Sequence, residues 1–408
     1  MRKKALVVLT NGKGGDLEPF LLNELCHYGI YFDEVIVFPV SGFGHEYQIN
    51  NIVVYPINLK RISRSKWIKS IFSKSLLNEL FFIIRSFKQI PTKIQQLVSF
   101  IGLGKTIYNI VANILIKRFN DTSNFKFVFY SYWLTESAFA AVLLAKCFPD
   151  SIAVSRCHGY DLYEYRQRSN YLPMRRFLLN FLTSVYSISL DGYHYLKNRY
   201  PGYNQTLNVA YLGTLEKGKG NYNSTKSPLK LVSCSAVVPL KRLTTIIDSL
   251  KYLTEFDVHW THLGDGPYLE EIKRLSASLP KNITAKFLGR LSPDKIYEFY
   301  IENECHLFLN VSEFEGIPVS IMEASSFGIP VIATDVGGTA ESVVNGITGY
   351  LINKNFEPSE LASIIRSVFN LDDVKYNDLR VQSRKIWESK FSAESNFSLF
   401  FKELSYRI

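Results

Sequence analysis

Residues 310–349 read NVSEFEGIPVSIMEASSFGIPVIATDVGGTAESVVNGITG, and the order of residue types there decides the architecture. The stretch leaves a short apolar run, 307–311, bounded by turn residues, which is the pattern of a strand buried on both faces. The loop that follows carries Glu313, Glu315 and Gly316. Pro318 stands where a first helical residue is expected, because its missing N–H costs nothing there. Glu315 thus falls in the loop and Glu323 roughly one and a half turns into the helix. A second apolar run, 330–334, and the pair Gly337-Gly338 complete the unit. Strand, loop, helix and strand in this order predict a parallel sheet, in which ligands bind beyond the carboxyl ends of the strands, where helix N-termini and loop amides converge.

The same alternation of β-branched runs and amphipathic stretches extends over most of the chain. Strands are predicted at 5–10, 34–38, 126–130, 152–156, 184–189 and 207–212, and again at 230–235, 257–263, 283–288, 307–311 and 330–334. Residues 213–228, rich in Gly, Lys, Asn, Ser and Thr, read as an exposed linker. The expected organisation is an α/β protein of two Rossmann-like, doubly wound domains facing a cleft. Residues 1–212 form the first domain and 229–390 the second, while a C-terminal helix, 391–408, packs back on the first.

Composition narrows the function. A chain of 408 residues with 47% hydrophobic content is long enough for two large cores. It has no internal repeat, and no run of eighteen or more uncharged apolar residues is found. The start, Met1-Arg-Lys-Lys before 5–9, resembles a signal peptide only superficially, since the apolar run is short and a glycine-rich stretch stands where cleavage would occur. It reads as the first strand of a cytoplasmic protein. The five cysteines lack any C-x-x-C pair, and no D-x-D pair occurs, so neither a zinc site nor the usual carboxylate pair for a phosphate-bound metal is expected. The net charge of +10 is concentrated. Residues 60–118 hold twelve basic side chains against one acid, Glu79, interleaved with apolar residues. That pattern suits peripheral contact with an anionic membrane, a solvated helical face or a lid. No zinc finger, RNP-type or helix-turn-helix signature accompanies the charge, so a nucleic-acid partner is not expected.

Several motifs carry chemistry. Glycines at 337 and 338 let a backbone loop approach a ligand closely. In 237–250, VVPLKRLTTIIDSL, Lys241 faces a helix start and needs an anion nearby. Gly14 and Gly15 lie in a glycine-rich loop after the first strand, which offers amides to an anion. Arg156-Cys-His-Gly-Tyr-Asp161 places His158 just beyond a strand end, and Ser131-Tyr-Trp133 follows another strand. HLGDGPYLEEI (262–272) and FLGRLSPDKI (287–296) each contain a turn glycine, and the second contains Arg290.

With its E-x7-E spacing, the 310–349 stretch resembles glycosyltransferase family 4, retaining enzymes of the GT-B fold, and the resemblance runs through most of the chain. It implies that Glu315 lies against the donor sugar, that Glu323 holds the ribose hydroxyls, and that backbone around Gly316, Ile317 and Val319 binds sugar or phosphate. Lys241 would contact the diphosphate, Arg290 would reach a phosphate, His158 would lie at the sugar, and the loop of Gly14 and Gly15 would approach the diphosphate and the acceptor. One departure stands out. The family's arginine about five residues before the lysine is replaced by Ser235-Ala236, and Arg242 is the candidate substitute. The implied activity is transfer of a hexose-type sugar from a nucleotide-diphosphate sugar, without metal or cofactor, to a lipid-linked or oligosaccharide acceptor of a bacterial capsule, lipopolysaccharide or exopolysaccharide. A non-catalytic nucleotide-sugar-binding protein and a GT-B phosphorylase or epimerase remain as alternatives. A dinucleotide oxidoreductase is disfavoured, because no strand is followed by G-x-G-x-x-G.

Overall fold

The computed structural model describes residues 2–11, 17–40, 44–58, 74–86, 88–221 and 226–408. Two units are present, Met1–Ala210 with Phe397–Ile408, and Tyr211–Asn396.

The first unit is built on an eight-stranded sheet of β1 (Lys3–Asn11), β2 (Glu34–Val40), β3 (Tyr47–Ile49), β4 (Ile52–Val54), β5 (Phe125–Ser131), β6 (Ile152–Cys157), β7 (Ser184–Ser187) and β8 (Leu207–Val209). Their order is β3-β4-β2-β1-β5-β6-β7-β8. Residues Ala5 to Leu9 are all buried, as expected of a central strand covered on both faces; Val7 pairs with Ile36 on one side and Phe129 on the other. All pairs are parallel but one: β3 and β4 form an antiparallel hairpin that the strand pattern did not predict. Its turn is Asn50-Asn51, with Asn50 at φ 52°, and asparagine tolerates that left-handed conformation.

The thirty-residue helix Ile90–Phe119 is long and apolar enough to cross a membrane by length and composition, yet it packs on this unit. Leu97, Ile107, Val111 and Leu115 are buried, and at Gly104 a Cβ would meet the Phe139 ring at 2.7 Å and the Glu136 carbonyl at 2.9 Å. That close approach sets it against the helix Glu136–Cys147. At least two of its four basic side chains are engaged as well: buried Lys93 donates to Ser86 Oγ at 2.9 Å and Arg118 pairs with Glu34 at 3.0 Å.

The helix Ala393–Tyr406 gives its later residues to the first unit. Phe400 lies against Tyr130 and Tyr186, with ring centres 5.3 and 5.1 Å apart, and the Tyr186 hydroxyl donates to Glu403 at 2.8 Å. Beneath this helix Arg156 pairs with Glu24 at 3.3 Å, both side chains fully buried. Its guanidinium also donates to Tyr130 Oη and the Ala210 carbonyl. Deleting one partner of such a pair costs about 3–5 kcal/mol, so the arginine of the R-x-H-G-x-D string holds the core.

The second unit has a six-stranded, wholly parallel sheet of β9 (Leu229–Cys234), β10 (Val258–Leu263), β11 (Ile283–Phe287), β12 (Leu307–Asn310), β13 (Val331–Thr334) and β14 (Gly349–Ile352), in the order β11-β10-β9-β12-β13-β14. Adjacent residues face opposite sides, and both sides are buried. Leu231, Trp260, Leu309 and Ile332 pack with Ile246 and Leu361, whereas Val232, Phe308 and Val331 pack with Ile321, Tyr300 and Phe327. This explains why the central strands β12 and β13 read as short apolar runs. Chain order reverses between β9 and β12, the place where such sheets bind ligands.

The predicted linker, 213–228, is exposed at 216–219 but anchored at points along its described part. Thr214 is buried and accepts from Trp387 Nε1 at 2.7 Å, the Gly220 amide donates to Phe327 O at 3.3 Å, and Arg384 pairs with Glu216. The helix Asp373–Lys390 binds the stretch into the second unit. Polar composition could not reveal partners more than 150 residues away.

Candidate functional site

The two loops that leave β9 and β12 at the reversal meet through one ion pair. Lys241 ends the turn Pro239–Lys241, and its Nζ lies 2.5 Å from Glu315 Oε1 in the loop after β12. Asn310 Nδ2 donates to the same oxygen at 3.3 Å. The arrangement is braced from three directions. The Glu313 amide donates to the Leu240 carbonyl at 2.9 Å, Thr334 Oγ1 donates to Ser312 O at 2.5 Å, and the Gly338 amide donates to Gly316 O at 2.8 Å. Gly337 sits at φ 54°, and a Cβ there would lie 1.9 Å from the Glu315 carbonyl oxygen. The glycine pair therefore serves the Glu315 loop.

Arg242 does not replace the missing arginine. It takes φ 48° at the start of the helix Leu243–Leu250, donates to the carbonyls of Val311 and Lys354 at 2.8 and 2.7 Å, and lies 4.9 Å from the Phe356 ring centre. It clamps the loop that carries Glu315. At the vacated position a buried relay takes over: Trp260 Nε1 donates to Ser233 Oγ, which meets His262 Nδ1 at 2.9 Å, and His262 Nε2 meets the Ser235 carbonyl at 3.2 Å. With Ser233 as donor to Nδ1, the imidazole is the neutral tautomer protonated at Nε2. Burial drives its pKa down to about 4, so it is an uncharged strut.

Ile317 is buried and the helix Val319–Ser326 begins with Pro318 as its cap residue, one position later than the sequence suggests. Glu323 is its fifth residue. Among the described residues, the amides of Gly316, Ile317, Val319 and Ser320 find no acceptor. Glu323 is 8% exposed, has neither counter-ion nor side-chain hydrogen bond among the described residues, and has its pKa pushed up to about 7 by burial. Nearby, the fully buried Tyr300 hydroxyl also lacks a partner. Uncompensated buried polar groups are costly, and here an acceptor carboxylate and several donor amides stand at one end of a sheet. Arg290, in the loop after β11, is exposed and makes no ion pair among the described residues.

In the first unit His158 is 8% exposed. Among the described residues neither ring nitrogen has a hydrogen-bond partner, and Nδ1 lies 4.0 Å from Asp161 Oδ2. The ring is wedged against Trp133 and Tyr132, with centres 4.2 and 4.9 Å apart. Asp161 is a backbone clip, accepting from the amides of His158 and Leu134 at 2.8 and 2.7 Å. Gly14 and Gly15 lie outside the described residues. Six of the predicted residues, Lys241, Glu315, Gly316, Ile317, Val319 and Glu323, thus gather in the second unit. The bracing roles of Arg242 and His262 were not legible because their partners are distant in sequence, and Asn310, which acts on Glu315 only five residues on, lies outside the E-x7-E spacing.

Comparison with known proteins bears on this geometry. Residues 216–386 match the family model "Glycosyl transferases group 1". The N-acetyl-alpha-D-glucosaminyl L-malate synthase of Bacillus anthracis is 32% identical over 33% of this chain and 34% of its own length. The capsular polysaccharide biosynthesis glycosyltransferase CapM of Staphylococcus aureus is 27% identical over 49% of this chain and 48% of its own. The chain therefore spans half or less of the length of these curated relatives. Among solved structures, Anabaena HepE in complex with UDP superposes with a TM-score of 0.67 over 98% of this chain and 100% of that one, at 16% identity, which shows the fold to be GT-B.

Proposed function

We propose that this chain, which carries a glycosyl transferases group 1 domain over residues 216–386 within a GT-B fold, transfers a hexose-type sugar from a nucleotide-diphosphate sugar to a glycan acceptor in bacterial surface polysaccharide synthesis. The observation that carries the reading is the uncompensated Glu323 carboxyl beside the unpaired amides of Gly316, Ile317 and Val319, with Lys241 and Glu315 on the adjoining loops. A ribose diol supplies the two donors that Glu323 lacks. A diphosphate supplies the acceptors that the amides and Lys241 need, at a helix N-terminus bearing about half a positive charge. UDP bound to HepE is a ligand of this class.

The chemistry follows from the charges. As the bond from the anomeric carbon to the diphosphate breaks, negative charge grows on the leaving group, where Lys241 and the helix-end amides stabilise it, with Arg290 in reach of a phosphate. Glu315 positions the sugar. The acceptor hydroxyl attacks from the face that the diphosphate leaves, so configuration is retained. No metal or cofactor is assigned a role. The acceptor is a lipid-linked or oligosaccharide glycan, met at the inner face of the cytoplasmic membrane.

In the free protein Glu315 already neutralises Lys241 at 2.5 Å, so the diphosphate competes with a carboxylate for its cation. Glu315→Gln should therefore bind donor at least as tightly as wild type while turnover falls by about 10²-fold or more. Glu323→Ala should mainly weaken donor binding. Calorimetry with UDP-, GDP- and ADP-sugars in EDTA, paired with a sugar-transfer assay, separates the two; small and equal effects would contradict both roles. The replacement of the arginine by Ser235-Ala236, with Arg242 occupied elsewhere, favours a second reading, a binding protein that takes the donor without turnover. Donor binding with no transfer to any acceptor glycan would select it.

A further inference from the structure

The first unit contains a cavity of about 340 Å³ that the donor chemistry does not use, enclosed by the helix Ile90–Phe119, the start of the helix Glu136–Cys147 and the 160–175 loop. Such a volume is at the lower end for small-molecule sites, about 300–1,000 Å³. Its apolar wall includes Phe100, Leu103 and Leu134, and Tyr160, 66% exposed, stands on its lining.

The polar groups are what distinguish it. Gln96 uses its Oε1 to accept from Ser169 Oγ at 2.9 Å, which leaves its two N–H donors for the cavity. Gln167 uses its Nε2 to donate to the Tyr160 carbonyl at 2.8 Å, which leaves its oxygen. Thr135 Oγ1 is buried with no partner among the described residues. Glu136 pairs with no cation among the described residues, and burial raises its pKa. Donors, acceptors and a hydroxyl thus line an apolar hollow, each amide held in one orientation by its bond to the protein. The lining arginine, Arg175, gives two of its nitrogens to the carbonyls of Leu134 and Asp161, while its buried Nε finds no partner among the described residues and is a further donor for a hydroxyl. A fatty chain would leave the amides and the carboxyl unsatisfied. A pyranose ring fits both halves, with C–H faces against Phe100 and Tyr160 and hydroxyls toward the amides and the carboxylate.

We propose that this cavity is a carbohydrate subsite, holding a sugar ring of the acceptor glycan, with Glu136, Gln96 and Gln167 as its recognition residues. The inference rests on the transferase reading for the word acceptor, though not for the sugar. The cavity joins the His158 segment directly, because Asp161 lines it and also binds the His158 amide.

Saturation-transfer NMR with methyl glycosides of glucose, galactose, mannose and N-acetylglucosamine tests it on the full chain, alongside calorimetry with nucleotide sugars. At least one glycoside should bind, with affinity reduced about fivefold or more in Glu136→Gln and in Tyr160→Ala, while nucleotide-sugar affinity stays within about twofold of wild type; a fivefold loss is about 1 kcal/mol. Tyr160→Ala alters an exposed side chain, so it reports even where Glu136→Gln unfolds. Glycoside binding that both variants leave unchanged, or no glycoside binding at all, overturns the subsite. Glycoside binding that the variants abolish in a chain that binds no nucleotide sugar upholds the subsite and overturns the transferase reading instead.

Discussion

Glu323 carries its charge at a cost, because burial favours the protonated form and nothing among the described residues compensates the carboxylate. Its pKa in the folded chain is about 7, against an ordinary value of 4.5. The folded state thus holds a proton that the unfolded chain releases. Stability is full below the unfolded value and falls as pH rises from there through about 7, by about 3 kcal/mol if the whole difference is realised. Glu323→Gln should therefore raise the melting temperature at about pH 8 and change it little at about pH 5. Binding runs the other way. A ribose diol donates to the carboxylate, so donor affinity should climb as pH rises toward about 7, by at most about tenfold per pH unit, and then level off. Calorimetry across this range in wild type and Glu323→Gln checks both signs. An affinity independent of pH in wild type would remove Glu323 from contact with the ligand. This is the trade of stability for function expected where a buried group awaits its partner.

At the scale of elements, the Glu315 loop is stiff because neighbouring loops hold it, and Gly337 is the tightest of those contacts. An alanine there must adopt left-handed geometry, costing about 1–2 kcal/mol, and must also displace the Glu315 carbonyl from 1.9 Å. Gly337→Ala should lower the melting temperature by several degrees and weaken donor binding together, read by thermal unfolding and calorimetry. A fall in melting temperature with donor affinity intact would mean that the turn does not set the Glu315 loop. The sequence signalled these parts unevenly. β9, β12, β13 and the helix after β12 were legible because each strand is buried on both faces and Pro318 marks the helix start. β14 escaped because four residues after a glycine turn have no periodicity to read, and β3 and β4 because three-residue strands leave only the Asn50-Asn51 turn as a signal. Lys241 and Glu315 were legible as separate residues, while their ion pair depends on a strand order that reverses between β9 and β12. The Glu136 cavity was invisible, since its lining runs from Gln96 to Arg175 and no motif spans that distance.

The whole molecule carries its positive charge unevenly, and the structure divides the basic 60–118 stretch into parts with different fates. Residues 60–73 and 87 lie outside the described residues. The helix Ile90–Phe119 is packed on the first unit, with Lys93 and Arg118 bound by neighbours, so it offers no continuous cationic face. The shorter helix Lys74–Arg85 does the reverse. It buries Leu76, Glu79 and Ile83 but exposes Leu77, Phe81 and Ile84 at 58%, 65% and 55%, a spacing that puts the three on one stripe, with exposed Arg85 and Lys88 beside them. An apolar stripe flanked by cations suits an anionic bilayer surface. Inserting such side chains gains up to about 1.5–3 kcal/mol each, and each cation near the surface adds about 1 kcal/mol. Replacing Leu77, Phe81 and Ile84 together with serine should therefore weaken sedimentation with phosphatidylglycerol vesicles by about tenfold or more, a loss of about 1.4 kcal/mol or greater. The melting temperature should barely move, because the three side chains are already in water. Raised salt should weaken wild-type binding through the cations. Equal sedimentation of wild type and the triple variant would assign the stripe to solvent, and equal binding to neutral and anionic vesicles would show that the basic stretch does not direct the contact.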